Sequence, residues 1–319
     1  MCYKIIKLIP QFFIDNNYHF HYIALVFYNY LALGIEMKMK AILLKYLFSI
    51  SLILSFINYS FANERIVVAG GSLTEIIYSL GSGEQIVGVD QTSSYPAEVK
   101  KLPQIGYWKL LNIEGILSLT PSLFITWIDA EPNDILEQVS KAKVDVLALQ
   151  RVPATPELLY QNIEKIGFKL NKELAAKQLV NQIRNHLTEI QQKIAKQPQK
   201  IKVLFLLSMG GSNTIAGKNT VADAIITIAG GENIATHTSY KSYSAESLIA
   251  SNPEAIILTS QSVEQLGGLD KLSSIPGLTQ TQAWKNRRII TIDQAYLLGL
   301  GPRVTQAVDT LYSGFYPEN

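Results

Sequence analysis

Two short blocks of this sequence carry the same chemistry at the same spacing. Asn112-Ile-Glu114-Gly-Ile116 runs on to Pro121-Ser-Leu-Phe-Ile125, and Ser244-Ala-Glu246-Ser-Leu248 runs on to Pro253-Glu-Ala-Ile-Ile257, with seven residues from glutamate to proline in both. Each reads as a polar cap, an acid in a first helical turn, a proline stop and a buried strand. One such acid complements its helix dipole, worth ~0.3–1 kcal/mol. Two at matching positions also suit one docking contact made twice. Elsewhere, Met209-Gly210-Gly211-Ser212 follows an apolar run and can bring backbone amides near a ligand. Tyr240, Lys241 and Tyr243 fall in a loop before a helix, and Arg303 follows Gly301-Pro302, where it can pin a carboxylate or cap a helix. Trp108 and Trp127 suit either a cleft wall or ordinary core packing.

Several classes of chemistry are excluded. The single cysteine, Cys2, allows no disulfide framework and no paired-cysteine metal site. The four histidines, His19, His21, His186 and His237, form no ligand cluster, and His237 is expected at the surface beside a Thr-Ser run. Neither Ser72 nor Ser208 lies in a Gly-x-Ser-x-Gly elbow, and no phosphate-cradling GxxxxGK[ST] loop occurs, so neither a serine hydrolase nor an ATPase is expected. A formal charge of +2 on 319 residues is no nucleic-acid signature.

These residues need a frame, and the chain supplies one after an atypical start. Residues 1–62 are apolar and aromatic, with five lysines and two acids, and setting them aside leaves 63–319 close to neutral. From Met39 the pattern is that of a secretory signal: Lys40 and Lys45, a short apolar core over 46–57, then Ser60-Phe61-Ala62 as a cleavage site. The core is short for a membrane span of ~20 residues. Residues 1–36 fit neither role and read as an over-extended start, so the mature chain is expected to begin at Asn63, soluble in the periplasm.

From Arg65 onward, strands alternate with helices, which argues for an α/β fold of two Rossmann-like lobes with parallel sheets. The expected divisions are an N-terminal lobe over 63–170, a linking helix over 171–198 and a C-terminal lobe over 199–319. The linking helix is free of Gly and Pro before Pro198 and repeats Leu174, Leu179, Ile183, Leu187, Ile190 and Ile194 at helical steps. Ser72 is expected to cap the helix after Gly70-Gly71, and Gly81 to end it.

The segments Gly106-Tyr107-Trp108-Lys109 through Leu117, Ala216 through Ala224 with Ala229 through Ile234, Tyr240 through Glu246, and Leu298-Gly-Leu-Gly-Pro-Arg303 together resemble a known family. The chain over 63–319 is similar to periplasmic haem-binding proteins of ABC importers, within the class that includes cobalamin and siderophore binders. The resemblance implies two lobes joined by one long helix with ligand in the cleft, and a binding protein rather than an enzyme. It implies Tyr107 as axial ligand of the haem iron, since a phenolate suits ferric iron. Lys109, where relatives often carry Arg, is implied to steady the phenolate or meet a haem propionate. Trp108, Trp127, Met209, Gly210, Tyr240, Lys241, Tyr243 and Arg303 are implied to line the ligand. Glu114 and Glu246 are implied to dock on a two-fold permease dimer with its ATPase subunits, the protein itself acting as a monomer. Haem is then transported ligand, not catalytic cofactor. The alternatives on the same scaffold are cobalamin or a ferric siderophore; a chelate-modifying enzyme and an anchored surface module are the competing classes.

Overall fold

The computed structural model describes Tyr46 and residues 64–317, apart from 210–211. The leader, its signal reading and the Asn63 start lie outside the described residues, as does Gly210. Asn63–Asn319 form a unit of their own.

Four strands make the first sheet: β1 (Ile66–Ala69), β2 (Ile86–Val89), β3 (Leu123–Trp127) and β4 (Asp145–Leu149). They run parallel in the order β2-β1-β3-β4, with Val67 opposite Phe124 and Phe124 opposite Val146. Every residue of β1 and β3 is buried. Such unbroken apolar runs are what a parallel sheet covered on both faces requires. The covering helices are α1 (Gly71–Ser79), α2 (Ile113–Leu117), α3 (Ile135–Lys141) and α4 (Pro156–Lys169). Helix α4 starts at Thr155, whose Oγ1 accepts from the Leu158 N–H, with Pro156 in its first turn.

The expected cap of α1 is corrected. Ser72 lies inside the helix, and Gly70 holds the N-cap position with no side-chain bond of its own. The free amides are instead taken up by the loop after β2: Gly70 N–H donates to Asp90 Oδ1 at 3.0 Å and Gly71 N–H to Thr92 Oγ1 at 2.8 Å. Asp90 is fully buried, and burial raises its carboxyl above the usual range against the hydrogen bonds from Thr92, Ser93 and Gly70.

The long helix α5 (Glu173–Ile194) covers 22 residues, about 33 Å at 1.5 Å per residue. Its buried stripe is Ala176, Val180, Ile183, Leu187 and Ile190. Leu174, expected on that stripe, stands 72% exposed, because the apolar face starts at Ala176 instead. Helix α5 packs back on α4, and Gly167 permits the approach: a Cβ there would come within 2.4 Å of the Ala176 Cβ.

The second sheet is mixed rather than wholly parallel. Its path is β10 (Ile289–Ile292), β9 (Ala255–Thr259), β5 (Ile201–Met209), β6 (Ser212–Ala216) and β8 (Tyr240–Ser242), with β7 (Gly231–Asn233) also paired to β5. Strands β10, β9, β5 and β7 run parallel; β6 pairs antiparallel with β5, and β8 antiparallel with β6. Only two residues separate β5 from β6, and so short a connection requires antiparallel pairing. Helices α6 (Val221–Ile228), α7 (Ala245–Ser251), α8 (Ser260–Leu266), α9 (Gln282–Lys285), α10 (Gln294–Leu298) and α11 (Val304–Phe315) complete the lobe. One core is continuous from the first sheet through α5 to Val203, Phe205 and Leu207 on one face of β5. A second gathers Leu204, Leu206, Ile256 and Leu258 on the opposite face. No described helix is long and apolar enough to cross a membrane.

Candidate functional site

The chain reaches Tyr107 along the edge of the first sheet. Val89 N–H donates to the Pro103 carbonyl at 3.0 Å, Ile105 N–H to the Val89 carbonyl at 2.9 Å, and Gln91 N–H to the Gly106 carbonyl at 2.8 Å. These bonds carry residues 103–106 past the carboxyl end of β2. Gly106 then takes φ +94°, a left-handed turn that suits glycine. Tyr107 follows at the end where loops gather and ligands of open α/β sheets bind.

Here the first lobe presents a cluster. Tyr107 is 37% exposed, while its neighbour Trp108 is 9% exposed. Their rings meet edge-on with centroids 5.7 Å apart. The turn 107–111 is tied to the loop after β3: Glu131 N–H donates to the Trp108 carbonyl at 3.0 Å, and Leu111 N–H to the Glu131 carbonyl at 2.9 Å. Lys109 Nζ pairs with Glu131 Oε1 at 2.6 Å and lies 4.9 Å from the Trp108 ring centroid. Arg151, just beyond β4, gives Nε and Nη2 to the Asp129 carboxylate at 2.6–3.2 Å, and its guanidinium carbon lies 4.7 Å from the same centroid. Leu110 and Ile128 stand out beside them as exposed apolar side chains. Trp127 closes β3 and is buried, with its indole nitrogen so near Gly70 that a Cβ there would lie 2.7 Å away. It is a floor for the site rather than an open face.

In the second lobe, Tyr240 of β8 lies within reach of the Arg151 charge. Burial pushes the Tyr240 phenol up to about 12, against the opposing hydrogen bond with Thr220 and the positive charge of Arg151. Arg151 thus acts across the cleft on Tyr240. Tyr240 keeps its proton at neutral pH. Lys241 is exposed; Tyr243 is half-buried, packs on the second core, and has its phenol raised by burial. Met209 ends β5, which brings its backbone to the strand's carboxyl end. His237, expected at the surface, is half-buried with Nε2 3.2 Å from the Ile215 carbonyl, because it packs on Gly217, where a Cβ would meet its ring.

Arg303 has a different partner from the ligand carboxylate its sequence context suggested. Its Nε bonds Glu75 Oε2 at 2.9 Å and its Nη2 bonds Glu75 Oε1 at 2.5 Å, joining α11's first residue region to α1. Tyr95 and Tyr296 lie over the guanidinium at 4.1 and 4.5 Å. Burial raises the Glu75 carboxyl while Arg303 opposes the rise. Burial would lower Arg303, but Glu75 outweighs it and the net shift is upward. Gly299 and Gly301 pack on Ser72, so the 299–303 turn sits directly against α1.

The repeated glutamates hold matching positions. Asn112 caps α2 by accepting from the Glu114 N–H at 2.7 Å, and Ser244 caps α7 in a reciprocal box with Ser247. Thr120 and Asn252, each just before its proline, have positive φ of 45° and 40°. Glu114 and Glu246 are both exposed, and neither forms an ion pair among the described residues. The Glu246 carboxyl is held below the usual range by its own backbone N–H and by Ser244. Sequence reasoning missed Arg151 and Glu75; the only signal for Arg151 was a cation directly after a strand.

Among described residues no group of three or more His, Cys, Asp or Glu side chains is set to hold a metal ion. The periplasmic heme-binding protein RhuT from Roseiflexus sp. RS-1, in its apo form, is 38% identical, with a TM-score of 0.74 over 79% of this chain and 98% of that one. A substrate-binding lipoprotein of an ABC transporter in Bacillus subtilis, YvrC, is 29% identical over 80% of this chain and 81% of its own length. A vitamin B12-binding protein of Photorhabdus laumondii is 26% identical over 82% of this chain and 92% of its own. The periplasmic binding protein family matches residues 66–296. The chain therefore belongs to the periplasmic binding protein family, in the vitamin B12, haem and siderophore class, whose members bind substrates and are not enzymes.

Proposed function

We propose that this protein captures haem between its two lobes and delivers it to an inner-membrane ABC permease. The observation that carries the reading is Tyr107: a half-open phenol on a glycine turn, edge-on to Trp108, with Lys109 and Arg151 beside it. A free phenol has a pKa near ~10, so ferric iron itself must assist its ionisation on binding. Tyr240 then lines the cleft as a hydrogen-bond donor, its phenol raised by burial. The 38% identity to the periplasmic heme-binding protein RhuT supports the same cargo.

In this reading Trp108, Trp127, Lys241, Tyr243 and the backbone at Met209 and Gly210 shape the cleft, with the lobes 63–170 and 199–319 joined through 171–198. Residues 39–62 direct export, and the mature protein works as a periplasmic monomer. Glu114 and Glu246 meet basic residues of the two permease subunits, one per lobe.

Cobalamin is the second reading, favoured by the vitamin B12-binding relative. Titrating purified 63–319 with hemin, cyanocobalamin and a ferric siderophore separates the readings. Saturable binding of hemin alone, with a ferric-phenolate spectrum, is expected. Tight binding of cyanocobalamin with none of hemin overturns the haem assignment.

A further inference from the structure

The end of the linking helix carries a charge pattern that neither cargo capture nor docking uses. Residues 190–202 hold four lysines and no acid, although the chain from 63 onward is close to neutral. Lys193, Lys196, Lys200 and Lys202 are all exposed, and none forms an ion pair among the described residues. Lys193, in the last turn of α5, complements the helix dipole; the other three lie past the helix end.

Two of the four, Lys193 and Lys196, line a pocket of about 550 Å³ between α5 and α11. That volume falls in the range of small-molecule sites. Buried Ile190 supplies its apolar base. Two polar bridges tie α5 and the turn after it to α11. His186 Nε2 lies 2.9 Å from Asp309 Oδ1, and Gln197 Nε2 donates to Tyr312 Oη at 2.9 Å. Asp309 is the one carboxylate on the lining, and His186 already engages it. Tyr312 accepts from Gln197, but its own O–H has no acceptor among the described residues. The pocket therefore offers two ammonium groups and a phenol O–H to a ligand that can only accept. A phosphoryl group, with several charged oxygens, suits such a set, and lysine serves it as a point charge. The pocket is remote from the cleft. It sits where α5 leads into Ile201, the amino end of β5, about 26 Å along that strand from Met209 at 3.3 Å per residue.

We propose that this pocket is a second binding site, for the phosphoryl group of a soluble phosphoester or of an anionic lipid headgroup. Lys193 and Lys196 pair with its oxygens, and Tyr312 donates to one of them.

The test titrates the purified protein with glycerol phosphate and with phosphatidylglycerol vesicles; glycerol and phosphatidylcholine vesicles are the controls. Saturable, salt-sensitive binding of glycerol phosphate is the expected result for a soluble phosphoester, and binding of phosphatidylglycerol vesicles alone is the expected result for a headgroup. Whichever probe binds, Lys193→Gln with Lys196→Gln should weaken it about tenfold or more. Tyr312→Phe, which changes no charge, should weaken it about threefold. Lys200→Gln with Lys202→Gln removes the same charge outside the pocket and should leave binding unchanged. Equal weakening by the two lysine pairs would mark diffuse attraction to a basic surface and overturn the proposal. So would binding that Tyr312→Phe leaves untouched, controls that bind as well as the phosphorylated probes, or a native protein that binds neither probe.

Discussion

On the first wall of the cleft, Tyr107, Trp108, Lys109 and Arg151 hang from loops that are cross-tied at the carboxyl ends of parallel strands. On the second wall, Tyr240 and Lys241 stand on a three-residue antiparallel strand. The lobes share a helix–proline–strand block, so the difference lies in what was added to it. A parallel sheet sends all its strand ends to one side, where loops can brace one another and hold two cations around one indole. The second sheet spends that place on the β5–β6 return, and its edge strand β8 carries Tyr240 and Lys241, both exposed.

The two walls are predicted to part company under mutation. The largest effect is expected where the lobes agree. Glu114→Arg with Glu246→Arg should abolish haem-dependent growth through the transporter while hemin binding stays intact, and each single change should weaken delivery in part. Growth at the normal rate with the double variant would return both glutamates to the role of helix-dipole partners. Next is the bolt between the lobes. Arg303 and Glu75 side chains are 16% and 8% exposed, and Arg303→Ala leaves a buried carboxylate without its partner. A loss of about 3 kcal/mol in urea unfolding is expected, with part recovered by adding Glu75→Gln. If stability holds and hemin affinity falls instead, Arg303 belongs to the ligand. The smallest effect compares the two glutamate helices directly. Asn112→Ala and Ser244→Ala should each cost about 1 kcal/mol by thermal unfolding, since each removes one cap. A much larger loss from one of them would show that the two blocks are not equivalent supports.

What the chain disclosed in advance follows from how local each feature is. The strands at 66–69, 123–127 and 255–259 are legible because complete burial demands unbroken apolar runs. The caps at Asn112 and Ser244 are legible because a cap acts within three residues. Helix α4 carried its own signal in Thr155-Pro156-Glu157, although no expected element covered it. Strand β8 was illegible, since Tyr240-Lys-Ser242 has no apolar alternation and exists by pairing with β6. The partner of Arg303 was beyond reach: Glu75 is 228 residues away and meets it only after the lobes are assembled. Arg151 likewise means nothing until β4 places it beside Trp108. Of the proposed site, the motif residues on the first wall were readable, and the charges that hold them in place were not.

The central claim is that iron is held by Tyr107 and not by Tyr240, although the two side chains are about equally exposed. Hemin spectra of the native protein, Tyr107→Phe and Tyr240→Phe test it most directly, since each change removes one hydroxyl and leaves the ring. The charge-transfer band toward the red should vanish in Tyr107→Phe, with hemin dissociating about tenfold faster or more, and persist in Tyr240→Phe. An unchanged band in Tyr107→Phe, or its loss in Tyr240→Phe alone, would contradict the account.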